Sequence, residues 1–188
     1  TSAGAVKLLD FVNDKTPKRK HEKKLISLLG MIFHRMLTGS APANKKCTYE
    51  GRYESVIRKC LEKNPEQRYQ SISELKEDLK EAKERADTRA ILLEINKAAA
   101  QYYYVQLKSS QGAVGLGYFK KRQLSDETIK AFGLGYSNKY SDDLYRYLKS
   151  KGYKDDMIAK AGLISIDEKN GVYDKFWNRV MFPIMDVN

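Results

Sequence analysis

The sequence predicts an α+β chain, mostly helical, with its helices first and a short antiparallel β element at the C-terminal end. Three observations carry this reading. Apolar residues recur at helical spacing over 25–37, 53–63 and 91–107; serine or aspartate starts and glycine stops punctuate 125–162; strand-like runs flank Asn170-Gly171.

Taken in order, Ala5–Val12 reads as a short buried strand, and Lys15–Lys24 is too charged to pack, so a solvated loop is expected there. Leu25, Ile26, Leu28, Leu29, Ile32, Phe33, Met36 and Leu37 then predict a well-buried helix that stops at Gly39. A second helix is expected from Tyr53 to Lys63, with Val56, Ile57, Cys60 and Leu61 on one face and Asn64-Pro65 as its breaker. Ser71-Ile-Ser-Glu74 has capping-box form and opens a helix carrying Leu75, Leu79 and Ala82. The charged run Glu77–Arg89 has few apolar anchors, which places a domain joint inside it and divides the chain into residues 1–84 and 85–188.

A new apolar pattern begins at Ile91 and predicts a long helix ending near Leu107, after which Gly112, Gly115 and Gly117 disfavour helix until Tyr118. Short helices follow: Ser125 caps 126–132 before Gly133, Ser141 caps 142–151 before Gly152, and 155–161 stops at Gly162. Leu163–Ile166 and Val172–Phe176 around Asn170-Gly171 predict a hairpin, and Val180–Ile184 is a third strand candidate. The β pattern reaches Asn188 with no closing element, which suggests a boundary inside a larger protein.

At 188 residues the chain can form one ordinary domain or two small ones. A formal charge of +11 favours a polyanionic partner over an acidic small substrate, while the 24 interspersed acidic residues argue for a folded surface and against a polycationic tail. Cys47 and Cys60 match neither a disulfide framework nor a metal knuckle, as expected of a reduced, cytoplasmic chain. No apolar run approaches the roughly 18 residues a membrane span needs, and Thr1–Gly4 has no signal-peptide character. The expectation is a soluble protein with no membrane partner.

Two resemblances emerge from these residues. Lys7-Leu-Leu-Asp-Phe-Val12, Leu28-Leu-Gly-Met-Ile-Phe-His-Arg-Met-Leu-Thr-Gly39 and Val56–Tyr69 resemble a strand and two helices of the protein-kinase C-terminal lobe, over residues 5–80. The likeness does not extend to chemistry. Phosphoryl transfer needs a glycine loop, an ion-paired lysine, a catalytic aspartate with its asparagine and a flexible Asp-Phe-Gly. Only Asp10 could be claimed: Val12 replaces the glycine, Leu25 sits where the family carries a buried aspartate, and His34-Arg35-Met36 lies mid-helix without the aspartate. The expectation is a degenerate packing or docking module and not an active kinase.

From Leu92 onward the chain resembles the N-terminal subdomain of the RNA polymerase core of bacterial DnaG-type primases. The blocks that carry this are Leu92–Ala99, Tyr118–Tyr136, Ala161–Ile164 and Tyr173–Ile184, in the family's order over about half the chain. The resemblance implies a replication protein of a bacterial cell or its mobile elements, whose family makes RNA primers on single-stranded DNA. It implies a nucleotidyltransferase whose chemistry resides in an acidic, metal-binding fold that this chain lacks. No cofactor or metal is therefore expected here, and magnesium or manganese belongs to that absent fold.

A template strand is held by Lys and Arg against phosphates and by aromatic faces against bases. Two clusters offer both: Lys120-Lys121-Arg122 and Lys175-Phe176-Trp177-Asn178-Arg179. By resemblance Arg122 and Arg179 match basic positions lining the family's template groove, while Lys175 and Trp177 stand where arginine is usual. Lysine keeps the charge without the bidentate fork, and tryptophan offers a stacking face. Gln123 replaces a turn glycine, which bears on the loop around Arg122. The expected DNA-binding residues are Arg122, Arg179, Lys175, Trp177, Lys120, Lys121 and Asn178, with no catalytic residue among them. Of Tyr102-Tyr103-Tyr104, three directions on a helix leave at most one in a functional role.

The leading expectation is that the chain binds single-stranded template DNA and positions it for primer synthesis elsewhere, with replication proteins such as a helicase as further partners. Two alternatives remain open: a non-catalytic protein-interaction module in which the kinase-like half docks a replication partner, and a nucleotide-binding pseudokinase resting on Asp10.

Overall fold

A computed structural model describes residues 19–140, 142–169 and 171–184. The strand expected at 5–12, Asp10, Ser141 and Asn170 lie outside the described residues. The chain divides into two compact units, Thr1–Asp87 and Thr88–Asn188.

In the first unit, helix α1 spans Arg19–Thr38 and helix α2 spans Glu54–Leu61. The loop expected through Lys24 is corrected: residues from Arg19 onward form the opening turns of α1. Glu22 in the first turn suits the positive end of the helix, and Lys23 reaches Glu66 at 2.8 Å, so these charges are compatible with helix. The helix is also less buried than expected. Ile26, Leu29 and Phe33 are buried, whereas Leu28, Ile32, Met36 and Leu37 remain exposed. Gly30 allows the close crossing with α2, because a Cβ there would stand 2.5 Å from that of Cys60.

Val56, Ile57, Cys60 and Leu61 complete the same core with Tyr69, Ile72, Leu75 and Leu79. Burying each aliphatic side chain contributes about 1.5–3 kcal/mol relative to leaving it exposed. Burial also pushes the Cys60 thiol up to about 12, which leaves it without thiolate chemistry at neutral pH. His34, itself buried, faces the Ser40 carbonyl through Nδ1 at 3.0 Å, while its Nε2 accepts the Thr48 backbone N–H at 3.2 Å. Arg68 closes the turn after α2 by donating to the Glu62 and Lys63 carbonyls at 2.6 and 3.2 Å.

Helix α3 runs without a break from Ile72 to Lys108. Its start is a displaced capping box: Ser71 Oγ accepts from the Glu74 N–H at 3.1 Å, and the Glu74 carboxylate accepts from the Gln70 N–H at 2.8 Å. The two helices expected on either side of Glu77–Arg89 are one. That run has few apolar anchors, Leu79 and Ala82 near its start, but contains no glycine or proline, and the i,i+4 pairs Arg85–Glu81 and Lys80–Glu84 suit a solvated helix.

The second unit holds helices α4 (Ala113–Lys121), α5 (Asp126–Ala131), α6 (Asp143–Ser150) and α7 (Asp155–Lys160). Its strands are β1 (Gly135–Ser137), β2 (Ile164–Asp167), β3 (Gly171–Asp174) and β4 (Arg179–Met181). The described fold is thus mostly helical α+β with short antiparallel ladders near the C-terminus. Helix α4 replaces the irregular stretch expected at Gly112–Gly117. Gly115 is needed for packing: a Cβ there would lie 2.6 Å from the Tyr136 ring.

Ser125 caps α5 by accepting from the Thr128 N–H at 3.2 Å, and Gly133 follows with φ 59°. Strands β2 and β3 form the expected hairpin, with Asp167 opposite Gly171 and Ile164 opposite Asp174. The third strand does not extend it. β4 pairs with β1, so that Gly135 faces Met181, Tyr136 faces Val180 and Ser137 faces Arg179. Two cores result: one around Ile95, Ala99, Tyr103, Leu144, Leu148 and Ile158, the other around Leu107, Phe119, Ile129, Leu134 and Tyr136.

Candidate nucleic-acid interface

The link between β3 and β4, residues 175–178, and the first residue of β4 carry four of the expected residues, Lys175, Trp177, Asn178 and Arg179, and this stretch is fixed from several directions. The Lys175 N–H donates to the Leu163 carbonyl at 2.9 Å, and the Ser137 hydroxyl donates to the Phe176 carbonyl. Asn178 takes a left-handed conformation, φ 51°, donates its backbone N–H to the Asn138 carbonyl at 2.7 Å, and accepts the Tyr136 hydroxyl on its side-chain oxygen at 2.9 Å. That oxygen is therefore engaged in holding the turn. Phe176 packs half-buried against the core, whereas Lys175, Trp177 and Arg179 face solvent, Trp177 with 49% of its surface exposed. Strand alternation explains Arg179: Val180 turns toward the core containing Phe119, so its neighbour turns away from it.

The second cluster ends helix α4. Phe119 anchors that helix fully buried, and its ring meets Phe182, just past β4, edge-on at 5.5 Å. Lys120 is paired with Asp126 at 2.7 Å. Arg122 occupies the helix C-cap with its guanidinium 5.0 Å over the Tyr118 ring. Among the described residues no carboxylate forms an ion pair with Lys121, Arg122, Lys175 or Arg179. Arg179 has one long internal bond, Nε to the Trp177 carbonyl at 3.4 Å. Their charges remain available to an external anion, while that of Lys120 is partly neutralised.

Gln123 holds φ 61°, the left-handed geometry for which glycine is the ordinary residue, and its N–H closes the turn on the Lys120 carbonyl at 2.9 Å. Gln123→Gly is expected to raise stability by up to about 1 kcal/mol, since left-handed strain of ~1–2 kcal/mol is relieved against a smaller unfolded-state entropy cost. A urea titration of both proteins checks this; a loss of stability would show that the glutamine side chain contributes more than its backbone strain costs.

Supporting residues without an obvious sequence signal hold the interface together. Asp174, nearly fully buried, caps helix α6 from a distance: its two oxygens accept the Leu144 and Tyr145 N–H groups at 2.9 and 3.0 Å. Burial pushes its carboxyl up to about 6; the two N–H bonds pull the other way, and Asp142 and Asp143 add to the rise. Asp142 at the N-cap makes no side-chain cap bond. Among the described residues no group of His, Cys, Asp and Glu is arranged to hold a metal ion, and no helix is long and apolar enough to cross a membrane.

Residues 102–188 match the DNA primase catalytic core, N-terminal domain. The match starts within α3 at Tyr102, inside the region where the resemblance is expected from Leu92 onward, and takes in both basic clusters; residues 5–80, where a kinase likeness is expected, lie outside it. The DNA primase of Deinococcus radiodurans is 42% identical over 96 residues, covering 50% of this chain and 16% of that protein. The DNA primase of Clostridium acetobutylicum is 39% identical over 95 residues, covering 50% and 15%. Among solved structures, the RNA polymerase domain of Mycobacterium tuberculosis primase DnaG, in complex with double-stranded DNA, is similar at 31% identity with a TM-score of 0.50, covering 52% of this chain and 31% of that one. The chain thus spans about a sixth of the length of these curated primases.

Proposed function

We propose that the C-terminal unit binds single-stranded template DNA and positions it for RNA primer synthesis, as part of a primase-like replication protein. The polymerising chemistry, with magnesium or manganese, belongs in this reading to an acidic metal-binding fold outside this sequence. The observation that carries the proposal is the pair of basic clusters inside the primase-matched region, Lys121-Arg122 and Lys175–Arg179, whose cations have no internal carboxylate partner among the described residues, the second cluster also holding the exposed Trp177. Lys and Arg neutralise phosphates, and an indole face stacks on any base.

The direct test is fluorescence anisotropy of a labelled single-stranded 20-mer between roughly 50 and 200 mM salt. The expected result is binding whose log Kd rises steeply with log salt, by about 0.7 for each phosphate neutralised. Absence of any complex at the lowest salt removes the reading.

A second reading rests on a different feature. Leu28, Ile32, Met36 and Leu37 leave an apolar stripe of α1 exposed, the kind of surface that docks a protein partner. In that reading the kinase-like N-terminal unit is a docking module for a replication partner, with no phosphoryl transfer. A complex with a purified replicative helicase that tolerates salt, alongside no DNA binding, favours it over the first.

A further inference from the structure

We propose that the loop Asn138–Tyr140 is a second base-binding platform, with Tyr140 stacking on an unpaired base and Lys139 neutralising the phosphate beside it. This deepens the single-strand reading above and rests on it.

The loop directly adjoins the Trp177 turn. The Asn138 carbonyl accepts the Asn178 N–H at 2.7 Å, and the preceding Ser137 hydroxyl reaches the Phe176 carbonyl. Its base is rigid: Ser137 and Asn138 are almost completely buried, the Asn138 amide donates to Gln111 and to Asp143 at 2.8 Å, and its oxygen accepts the Lys139 N–H at 2.8 Å. The next two side chains then turn outward. Lys139 is exposed, and Tyr140 leaves 50% of its surface open, nearly the same fraction as Trp177. The Lys139 ammonium stands 5.4 Å over the Tyr140 ring, so one face of the half-exposed ring meets a cation.

Large aromatic side chains normally bury most of their area. Two of them held open on hydrogen-bonded neighbouring turns, each beside a cation without a carboxylate partner among the described residues, match what a sequence-tolerant single-strand site requires: one π-face per base and one charge per phosphate. The ligand class is an unpaired polynucleotide, because a base stacked in a duplex has no free face to offer.

The test uses the whole chain with Tyr140→Ala, Tyr140→Phe and Lys139→Ala, measured against a single-stranded 20-mer and a blunt duplex. Tyr140 is exposed, so melting temperatures should stay within a degree or two of wild type. Tyr140→Ala is expected to weaken single-strand binding on the order of tenfold and leave duplex binding unchanged, while Tyr140→Phe retains wild-type affinity. Lys139→Ala should lower the salt slope by about 0.7. An oligonucleotide carrying 2-aminopurine should be quenched on binding by wild type and Tyr140→Phe, and less so by Tyr140→Ala. If Tyr140→Ala binds as wild type while Arg122→Ala with Arg179→Ala does not, the platform is wrong and the template-binding reading stands. If wild type fails to bind single strands at all, the reading itself falls. Equal loss in the Ala and Phe variants overturns stacking as the mechanism.

Discussion

Replacing Arg122 and Arg179 together by alanine is expected to raise the Kd for a single-stranded 20-mer by roughly tenfold or more at low salt, and to reduce the slope of log Kd against log salt by about 1.4. The effect is electrostatic. A cation already paired inside the protein has little charge left to release counterions from DNA, and Lys120, bonded to Asp126, is in that position. Arg122 and Arg179 are not, since their internal contacts are a tyrosine ring and one long bond to a carbonyl. Removing two charges from a chain of net +11 also weakens any non-specific attraction. The control is therefore Lys63→Ala with Lys83→Ala, which removes the same charge from exposed positions in the N-terminal unit. An equal loss in the control attributes the effect to net charge and removes the assignment to these two arginines. Arg122→Lys with Arg179→Lys should recover most of the salt slope but only part of the affinity, because lysine carries the charge without the bidentate fork.

Much of this fold was legible because local rules sufficed. The helical period of 25–37 and 53–63, the Ser125 start of α5 and the strand-like runs around Asn170-Gly171 each depend on residues close in sequence, and their elements are where the pattern placed them. What escaped was set at long range. Strand β1 is three residues long, too short to display a period of two, and exists because β4 pairs with it. Helix α4 contains Gly115 and Gly117 against its propensity, yet Gly115 is required where the Tyr136 ring approaches. In the candidate site the basic and aromatic clusters could be read directly, whereas Lys139 and Tyr140 could not. No local pattern marks them, and their place beside Trp177 comes from the bond between Asn138 and Asn178, forty residues apart in the chain.

Asp174→Ala is expected to destabilise the C-terminal unit by on the order of 2 kcal/mol, with a larger cost at pH 5 than at pH 7.5. The carboxylate satisfies the Leu144 and Tyr145 N–H groups at the start of α6, and Leu144 is itself buried. Without it, two donors at a helix terminus lose their partner, at about 1–3 kcal/mol for each that stays buried. The pH dependence follows from the raised carboxyl, about 6 in the fold against an ordinary value near 3.8. Between those values the folded chain holds a proton that the unfolded chain has released, so this group's contribution falls as pH rises from about 4 to about 6. Alanine cannot titrate, and the variant therefore lacks that slope. Asp174→Asn separates the two effects: it also lacks the slope, but keeps one acceptor and should lose less stability than alanine. Urea unfolding of the three proteins at both pH values measures this. A difference between wild type and Asp174→Ala that is the same at pH 5 and 7.5 would show that the buried carboxyl titrates near its ordinary value, and that its two N–H bonds outweigh the penalty of burial.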